Sequence, residues 1–175
     1  MKKNVIVLIV VTIAFYFVSA TAQATDKYTV FTSILPQEYF VERIGGNRVK
    51  VQALVKPGSS PATYEPTPRQ MAALSGAKIF FRIGVPFENA FIPKIEGTSK
   101  GLRIVDTRKG IALRKMKAHR RKKGNDPHIW LSLRLVKVQV RTIADALVQA
   151  DPAGKETYEK NLAAFLKDLD ALDAT

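Results

Sequence analysis

The sequence predicts an α/β fold in which helices flank a mostly parallel four-stranded sheet. Short apolar runs alternate with segments of helical period, and consecutive strands that are joined through helices run parallel. The predicted strands cover residues 28–34, 48–55, 77–83 and 102–106. The predicted helices cover residues 36–44, 68–75, 87–95 and 131–149, and a last helix starts at residue 151.

The first strand, the first helix and the second strand follow from changes in hydrophobic period. Tyr28 to Ile34 is a short apolar run typical of a buried strand, and Gly45-Gly46 closes the helical segment after it. Arg48 to Val55 alternates between polar and apolar side chains, which is the pattern of a strand. These elements form one β-α-β unit.

The second helix has a capping-box start. Thr67 supplies an N-cap hydroxyl, Pro68 stands at the first helical position and Gln70 at the third. The apolar runs after this helix predict the third and fourth strands, with one further helix between them.

The last helix begins at Asp151-Pro152, where an aspartate cap precedes a proline in the first turn. Its apolar residues form one stripe at alternating steps of four and three: Tyr158, Leu162, Phe165, Leu169 and Leu172. The stripe needs a surface to pack against. Either the α/β lobe supplies that surface, or the chain is the front part of a longer protein.

The first 24 residues have the three parts of a cleavable secretory signal peptide. Lys2 and Lys3 precede an apolar run from Val5 to Val18, and Ala22-Gln23-Ala24 is an A-x-A cleavage pattern. A membrane anchor is the alternative, because the apolar run approaches the roughly 20 residues that span a bilayer. We expect cleavage after Ala24 and a periplasmic protein whose remaining residues form one domain.

The chain is strongly basic, with 28 Lys and Arg residues against 15 Asp and Glu and a net charge of +13. Nine of the cations lie between residues 108 and 125 without an acidic residue among them: Arg108, Lys109, Arg114, Lys115, Lys117, Arg120, Arg121, Lys122 and Lys123. Their mutual repulsion predicts an exposed, mobile loop. Such a loop permits binding to nucleic acid, anionic lipid or an acidic polymer.

Cysteine is absent from the chain. This excludes disulfides, thiolate metal sites and a cysteine nucleophile, and it removes the usual acceptor for a lipid anchor. The sequence also lacks the GxSxG, HExxH, P-loop and GxGxxG motifs. We therefore expect no enzymatic activity and no stable membrane insertion after cleavage.

Two segments are too specific to arise from composition: KPGSSPATYEPTPRQ at residues 56–70 and NDPHIWLS at residues 125–132. Together they resemble the zinc and manganese class of periplasmic solute-binding proteins, the metal receptors of ABC importers. The resemblance covers nearly all of residues 28–173. It implies two α/β lobes joined by a long helix, with a metal ion between the lobes on three histidines and a carboxylate.

The sequence matches the metal-ligand positions of the family only in part. His128 falls on the second histidine of the family, whereas Ala62 stands where the first histidine belongs. Glu65 and His119 are minor candidates for replacement ligands, and His128 could also be an ordinary loop histidine. Trp130 is expected to be a packing residue. The resemblance therefore predicts a weakened or lost site for zinc or manganese.

The resemblance also defines the domain organisation and the expected partners. Residues 25–150 would form the amino-terminal metal-receptor lobe and residues 151–175 the start of the connecting helix, with the second lobe absent. The partners would be a divalent metal ion and the membrane permease of an importer. We expect a monomer and no nucleic-acid partner. The alternatives are a module that binds anionic polymers or membrane through Lys115 to Lys123, or a gene fragment without function.

Overall fold

Four parallel strands form one sheet in the order β2-β1-β3-β4. The strands are β1 (Tyr28–Thr32), β2 (Val49–Ala53), β3 (Ile79–Arg82) and β4 (Arg103–Asp106). In register, Val30 of β1 lies beside Val51 of β2 and Ile79 of β3. The prediction of a mostly parallel four-stranded sheet is confirmed.

This computed structural model describes residues 27–116 and 124–174 of the chain. The predicted signal peptide, His119 and the centre of the basic loop lie outside the described residues. In the described part of that loop, Thr107 is buried and Arg108 is half-buried, while residues 114–116 are exposed. The loop is therefore held to the lobe at its start, which the charge pattern alone did not predict.

In the part of the chain that the structure describes, five α-helices accompany the sheet: α1 (Leu35–Gly45), α2 (Pro68–Ser75), α3 (Glu88–Thr98), α4 (Leu133–Ala150) and α5 (Lys155–Asp173). Short 3₁₀ turns precede β2, α4 and α5, at Gly46–Arg48, Ile129–Leu131 and Pro152–Gly154. The capping box at α2 is present, because the backbone N–H of Gln70 donates to Thr67 Oγ1 and the N–H of Thr67 donates to Gln70 Oε1.

The two faces of the sheet are covered by different helices. On one face, Val30 and Phe81 pack with apolar residues of α1, α4 and α5. On the other face, Phe31 and Phe80 pack with residues of α2 and α3. Successive strand residues thus enter opposite cores, as expected for a doubly wound α/β lobe whose parallel strands are buried on both sides.

The α/β lobe itself packs against most of the apolar stripe of α5. Tyr158, Phe165 and Leu169 are buried in the core that contains α1 and α4, and Leu162 packs against it. Leu172, near the end of the stripe, is 58% exposed. The sequence left open whether the α/β lobe or a further part of a longer protein covers the stripe. The lobe covers it as far as Leu169.

A polar cluster fixes the start of α5 to the sheet. Asp151 accepts hydrogen bonds from Arg48 Nε at 2.8 Å and from the Tyr158 hydroxyl at 2.6 Å, and the Tyr28 hydroxyl lies 3.2 Å from that of Tyr158. Burial raises the pKa of both tyrosines, so both hydroxyls keep their protons as donors. The hydrogen bonds from Arg48, followed by that from Tyr158, lower the pKa of Asp151 against the opposing effect of burial.

No helix within residues 27–116 and 124–174 has the length and apolar character that crossing a lipid bilayer requires.

We predict that Asp151→Asn lowers the free energy of unfolding by about 1–2 kcal/mol at pH 7, because the charge-assisted bonds to Arg48 weaken. A carboxyl whose pKa is lowered by folding stabilises the protein above its unfolded-state pKa, and this contribution disappears as the pH falls toward the folded-state value. The difference between the two proteins should therefore shrink as the pH falls below about 4, the usual pKa range of an aspartyl carboxyl, measured by urea unfolding.

Asp170→Asn is the matched control, since Asp170 pairs with Lys137 but its side chain is 68% exposed. An exposed pair contributes little to stability. A loss at Asp151 that is no larger than the loss at Asp170, or that does not depend on pH, would contradict this account.

Candidate metal centre

The two loops with receptor-like motifs meet at the carboxyl edge of the sheet. One follows β2 and carries Ala62, and the other follows β4 and carries His128. Because all four strands are parallel, both loops leave the same edge, and they line one cleft of about 900 Å³ together with Gly84 and Asn89. In doubly wound sheets, this edge is where ligands bind.

The loop that carries Ala62 is held in place by hydrogen bonds and ring packing of its neighbouring residues. Gln70 Nε2 donates to the carbonyl of Leu54 at 2.9 Å, and the Tyr64 hydroxyl donates to Gln70 Oε1 at 2.7 Å. The ring of Tyr64 packs edge-to-face on Phe87 at 5.3 Å between centroids. Ala62 is thus presented to the cleft from a fixed loop, but its methyl group cannot bind a metal.

His128 is oriented by Asp126. Its Nδ1 lies 2.6 Å from Asp126 Oδ1, and its backbone N–H donates to the same oxygen at 3.0 Å. A carboxylate can only accept, so Nδ1 carries the proton and Nε2 keeps its lone pair when the ring is neutral. The backbone bond and then the side-chain bond from His128 lower the pKa of Asp126. Such a carboxylate–histidine pair is the usual support of a metal-binding imidazole.

Trp130 packs beside the histidine and between the two cores. Its ring centroid lies 5.0 Å from that of His128, and the side chain contacts the buried clusters on both faces of the sheet. This agrees with the expectation of a packing residue. The indole thereby fixes the loop that presents His128.

A buried carboxylate forms the support beneath the cleft. Glu88, at the start of α3, is completely buried, and its two oxygens accept four hydrogen bonds. The donors are the Ser33 hydroxyl at 2.6 Å, the backbone N–H groups of Ile83 and Gly84 at 2.8 Å, and Arg82 Nε at 3.1 Å. The ends of β1 and β3 are thus joined at one side chain.

The backbone N–H of Gly84 is held by Glu88, and the missing side chain of Gly84 lets Arg108 approach its backbone closely. Its φ of +88° is the left-handed conformation that favours glycine, and a Cβ atom there would collide with the side chain of Arg108. Arg108 is itself paired with Asp106 at 2.6 Å. Burial raises the pKa of Asp106, but hydrogen bonds from Arg108 outweigh this effect and lower it. The charge of Arg108 beside the cleft is therefore compensated.

The structure brings together some of the predicted site residues and separates others. Ala62 and His128 line the same cleft, whereas Glu65 is exposed outside its lining. Within the described residues, there is no group of three or more His, Cys, Asp or Glu side chains that could hold a metal ion. Among the described residues, the lining of the cleft contains one imidazole, that of His128.

Sequence reasoning missed the supporting residues Ser33 and Glu88. The available signal was an acidic residue in the first turn of a helix that directly follows a buried strand and a glycine. That pattern is common at exposed helix starts, where acidic side chains favour the helix dipole. Only the packing of α3 under β1 and β3 shows that this one is buried.

We predict that Glu88→Gln lowers the free energy of unfolding by about 2–3 kcal/mol, because the amide directs N–H donors at groups that are themselves donors. Denaturant unfolding at pH 7 measures the effect. Glu96→Gln, on the exposed side of the same helix, is the control and should change stability by less than about 0.5 kcal/mol. Equal effects of the two substitutions would refute the role of Glu88.

Comparison with known proteins places these motifs in one family. The model of the family described as zinc-uptake complex component A, periplasmic (ZnuA) matches residues 30–175. The crystal structure of a zinc-bound ZnuA deletion mutant superposes with a TM-score of 0.79 and 42% identity, over 85% of this chain and 56% of that chain.

Curated relatives agree with this match. The metal ABC transporter substrate-binding lipoprotein ScbA of Streptococcus cristatus is 31% identical over 161 residues, which cover 89% of this chain and 52% of the relative. The manganese-binding lipoprotein MntA of Halalkalibacterium halodurans is 32% identical over 155 residues, which cover 89% and 50%. The chain spans about half the length of the curated relatives it matches.

The family is described as a zinc-uptake complex component and ScbA is named a substrate-binding lipoprotein of an ABC transporter, which confirms the non-enzymatic class expected from the sequence. The relatives are named lipoproteins, whereas the printed sequence has no cysteine that could take a lipid. With a family model that matches residues 30–175 and a shared α/β lobe, the chain belongs to the ZnuA family of periplasmic zinc-uptake components.

Proposed function

We propose that the chain acts as the amino-terminal lobe of an extracytoplasmic metal receptor for an ABC importer, with a weakened site. The observation that carries this proposal is the joint position of Ala62 and His128 at one cleft, where the Nε2 atom of His128 is left free by the bond from Nδ1 to Asp126. His128 is the one metal ligand that we assign to this chain. A single imidazole binds a divalent ion far more weakly than a complete tetrahedral site does.

Zinc is the favoured ion and manganese the alternative. Imidazole nitrogen is a preferred ligand of zinc, whereas manganese is better suited by oxygen ligands. The named proteins include both, since the ZnuA structure carries zinc and the relative from Halalkalibacterium halodurans is named for manganese. In this chain, the ligand beside Ala62 is an imidazole, which supports zinc.

The proposed place of action is the periplasm, and the proposed protein partner is a membrane permease. Export through residues 1–24 with cleavage after Ala24 would deliver residues 25–175 to the periplasm, where a membrane permease would be the partner. Residues 25–150 would form the lobe and residues 151–175 the start of a connecting helix. The packing of α5 on α1 and α4 supports this assignment, since it fixes the direction in which the helix leaves the lobe.

We predict that Ala62→His strengthens zinc binding by at least about tenfold, because a second imidazole would reach the ion that His128 binds. His128→Ala should abolish the binding that the unmodified chain has. Isothermal titration with zinc chloride on chelator-stripped protein measures both, and thermal unfolding with about 1 mM zinc gives a second readout, since a ligand of the native state raises its stability.

Ala73→His is the matched control, because it places an exposed imidazole on α2 away from the cleft. Its zinc affinity should equal that of the unmodified chain. If Ala62→His and Ala73→His behave alike and His128→Ala binds zinc normally, residues 62 and 128 do not share a site and the proposal fails.

A further inference from the structure

A second pocket adjoins the cleft and shares His128 with it. This pocket has a volume of about 400 Å³ and is lined by Arg114, Asp126, His128, Ser132 and Arg134, with apolar residues between them. Its volume is in the range of about 300–1,000 Å³ that is typical of small-molecule sites. The imidazole of His128 therefore stands between a cleft and a pocket that are both much larger than a bare metal ion.

The charge of this pocket is positive. Arg114 and Arg134 are exposed, and within the described residues neither guanidinium forms a hydrogen bond or an ion pair. The guanidinium of Arg114 acts on the Asp126 carboxylate through its charge alone. Asp126 is the one acidic residue in the lining, and its Oδ1 is already bonded to His128. The pocket lining thus contains two guanidinium groups without partners among the described residues and one carboxylate, which is bonded to His128 through Oδ1.

The start of α4 adds to the positive potential. Its N-cap, Ser132, makes no side-chain capping bond, and the first turn of this 18-residue helix contains no acidic residue. The first N–H groups of a helix lack partners within the helix and carry a partial positive charge. These groups add their partial positive charge to the charges of Arg114 and Arg134 in the pocket lining.

The positive charge of the pocket opposes the entry of a bare divalent cation but favours the binding of an anionic complex of that cation. Guanidinium groups bind carboxylates with two parallel hydrogen bonds, and this geometry suits a ligand with several carboxylates. A cation chelated by such a ligand can still accept one further donor. Nε2 of His128, which has no hydrogen-bond partner among the described residues, is such a donor, and His128 belongs to the lining that includes both arginines.

We propose that this lobe binds its divalent cation as a complex with a small polycarboxylate. In this complex His128 Nε2 coordinates the cation while Arg114 and Arg134 bind the carboxylates of the chelator. The proposal rests on the metal-receptor function proposed above and specifies its substrate class. It explains how a site with alanine at position 62 retains a ligand, because the chelator supplies the donors that the protein lacks.

In the test, the full exported chain is titrated with zinc chloride, once without citrate and once with citrate in excess over zinc. For a receptor of bare ions, citrate competes for zinc and raises the apparent Kd. We expect the opposite sign here, with citrate lowering the apparent Kd for zinc by at least about tenfold, the factor that corresponds to about 1.4 kcal/mol. The double variant R114Q/R134Q should lose this enhancement.

Arg141→Gln is the matched control, because Arg141 is an exposed arginine of the same helix that lies outside the pocket lining, and its variant should keep the enhancement. An increase of the apparent Kd with citrate, or an enhancement that survives in R114Q/R134Q, overturns this inference. The proposed metal receptor still stands in that case if zinc alone binds and His128→Ala removes the binding.

Two other outcomes are informative. Equal affinity for citrate with and without zinc overturns the inference, since the imidazole–metal bond would then contribute nothing. If zinc neither alone nor with citrate binds or raises the melting temperature, both the inference and the proposed function fail. The melting temperatures of the variants without ligand show that they remain folded.

Discussion

The site depends on one buried carboxylate that joins the ends of two neighbouring strands. Glu88 accepts the Ser33 hydroxyl from the end of β1 and two backbone N–H groups from the end of β3. These strands are where the strand order reverses, so a crevice opens between their following loops. Four donors match the acceptor capacity of a carboxylate, which makes its complete burial tolerable. These hydrogen bonds fix the position of Gly84 in the cleft, and Arg108 packs against Gly84.

Most of the fold could be predicted from the sequence because local signals and tertiary packing agree. At Thr67 the capping residues alone define the start of α2, and the strands β1 and β3 read as apolar runs because both faces are buried. The basic loop was harder, since like charges predict exposure, yet Arg108 is held by Asp106 only two residues away. Charge composition does not reveal which cation has a partner.

The candidate site could be predicted in part. The motifs singled out Ala62 and His128, and both line one cleft, while metal binding by His128 stays a prediction. The support of the site could not be found in this way. Glu88 is an ordinary residue for a helix start, and Arg114 and Arg134 lie 20 residues apart in sequence. They share a pocket only because the loop after β4 returns to the start of α4, where Asp126 N–H donates to the carbonyl of Arg114 at 2.7 Å.

In the proposed site, the alanine at position 62 and the positive charge beside His128 have related effects. Alanine at position 62 offers no donor to a bare cation, and the two guanidinium groups beside His128, which lack partners among the described residues, repel such a cation. Either change alone would only weaken a metal site. In the proposed complex they favour an anionic chelate of the cation, since such a chelate gains from the arginines and needs only one donor from the protein. Zinc affinity measured without a chelator would then underestimate what this lobe can bind.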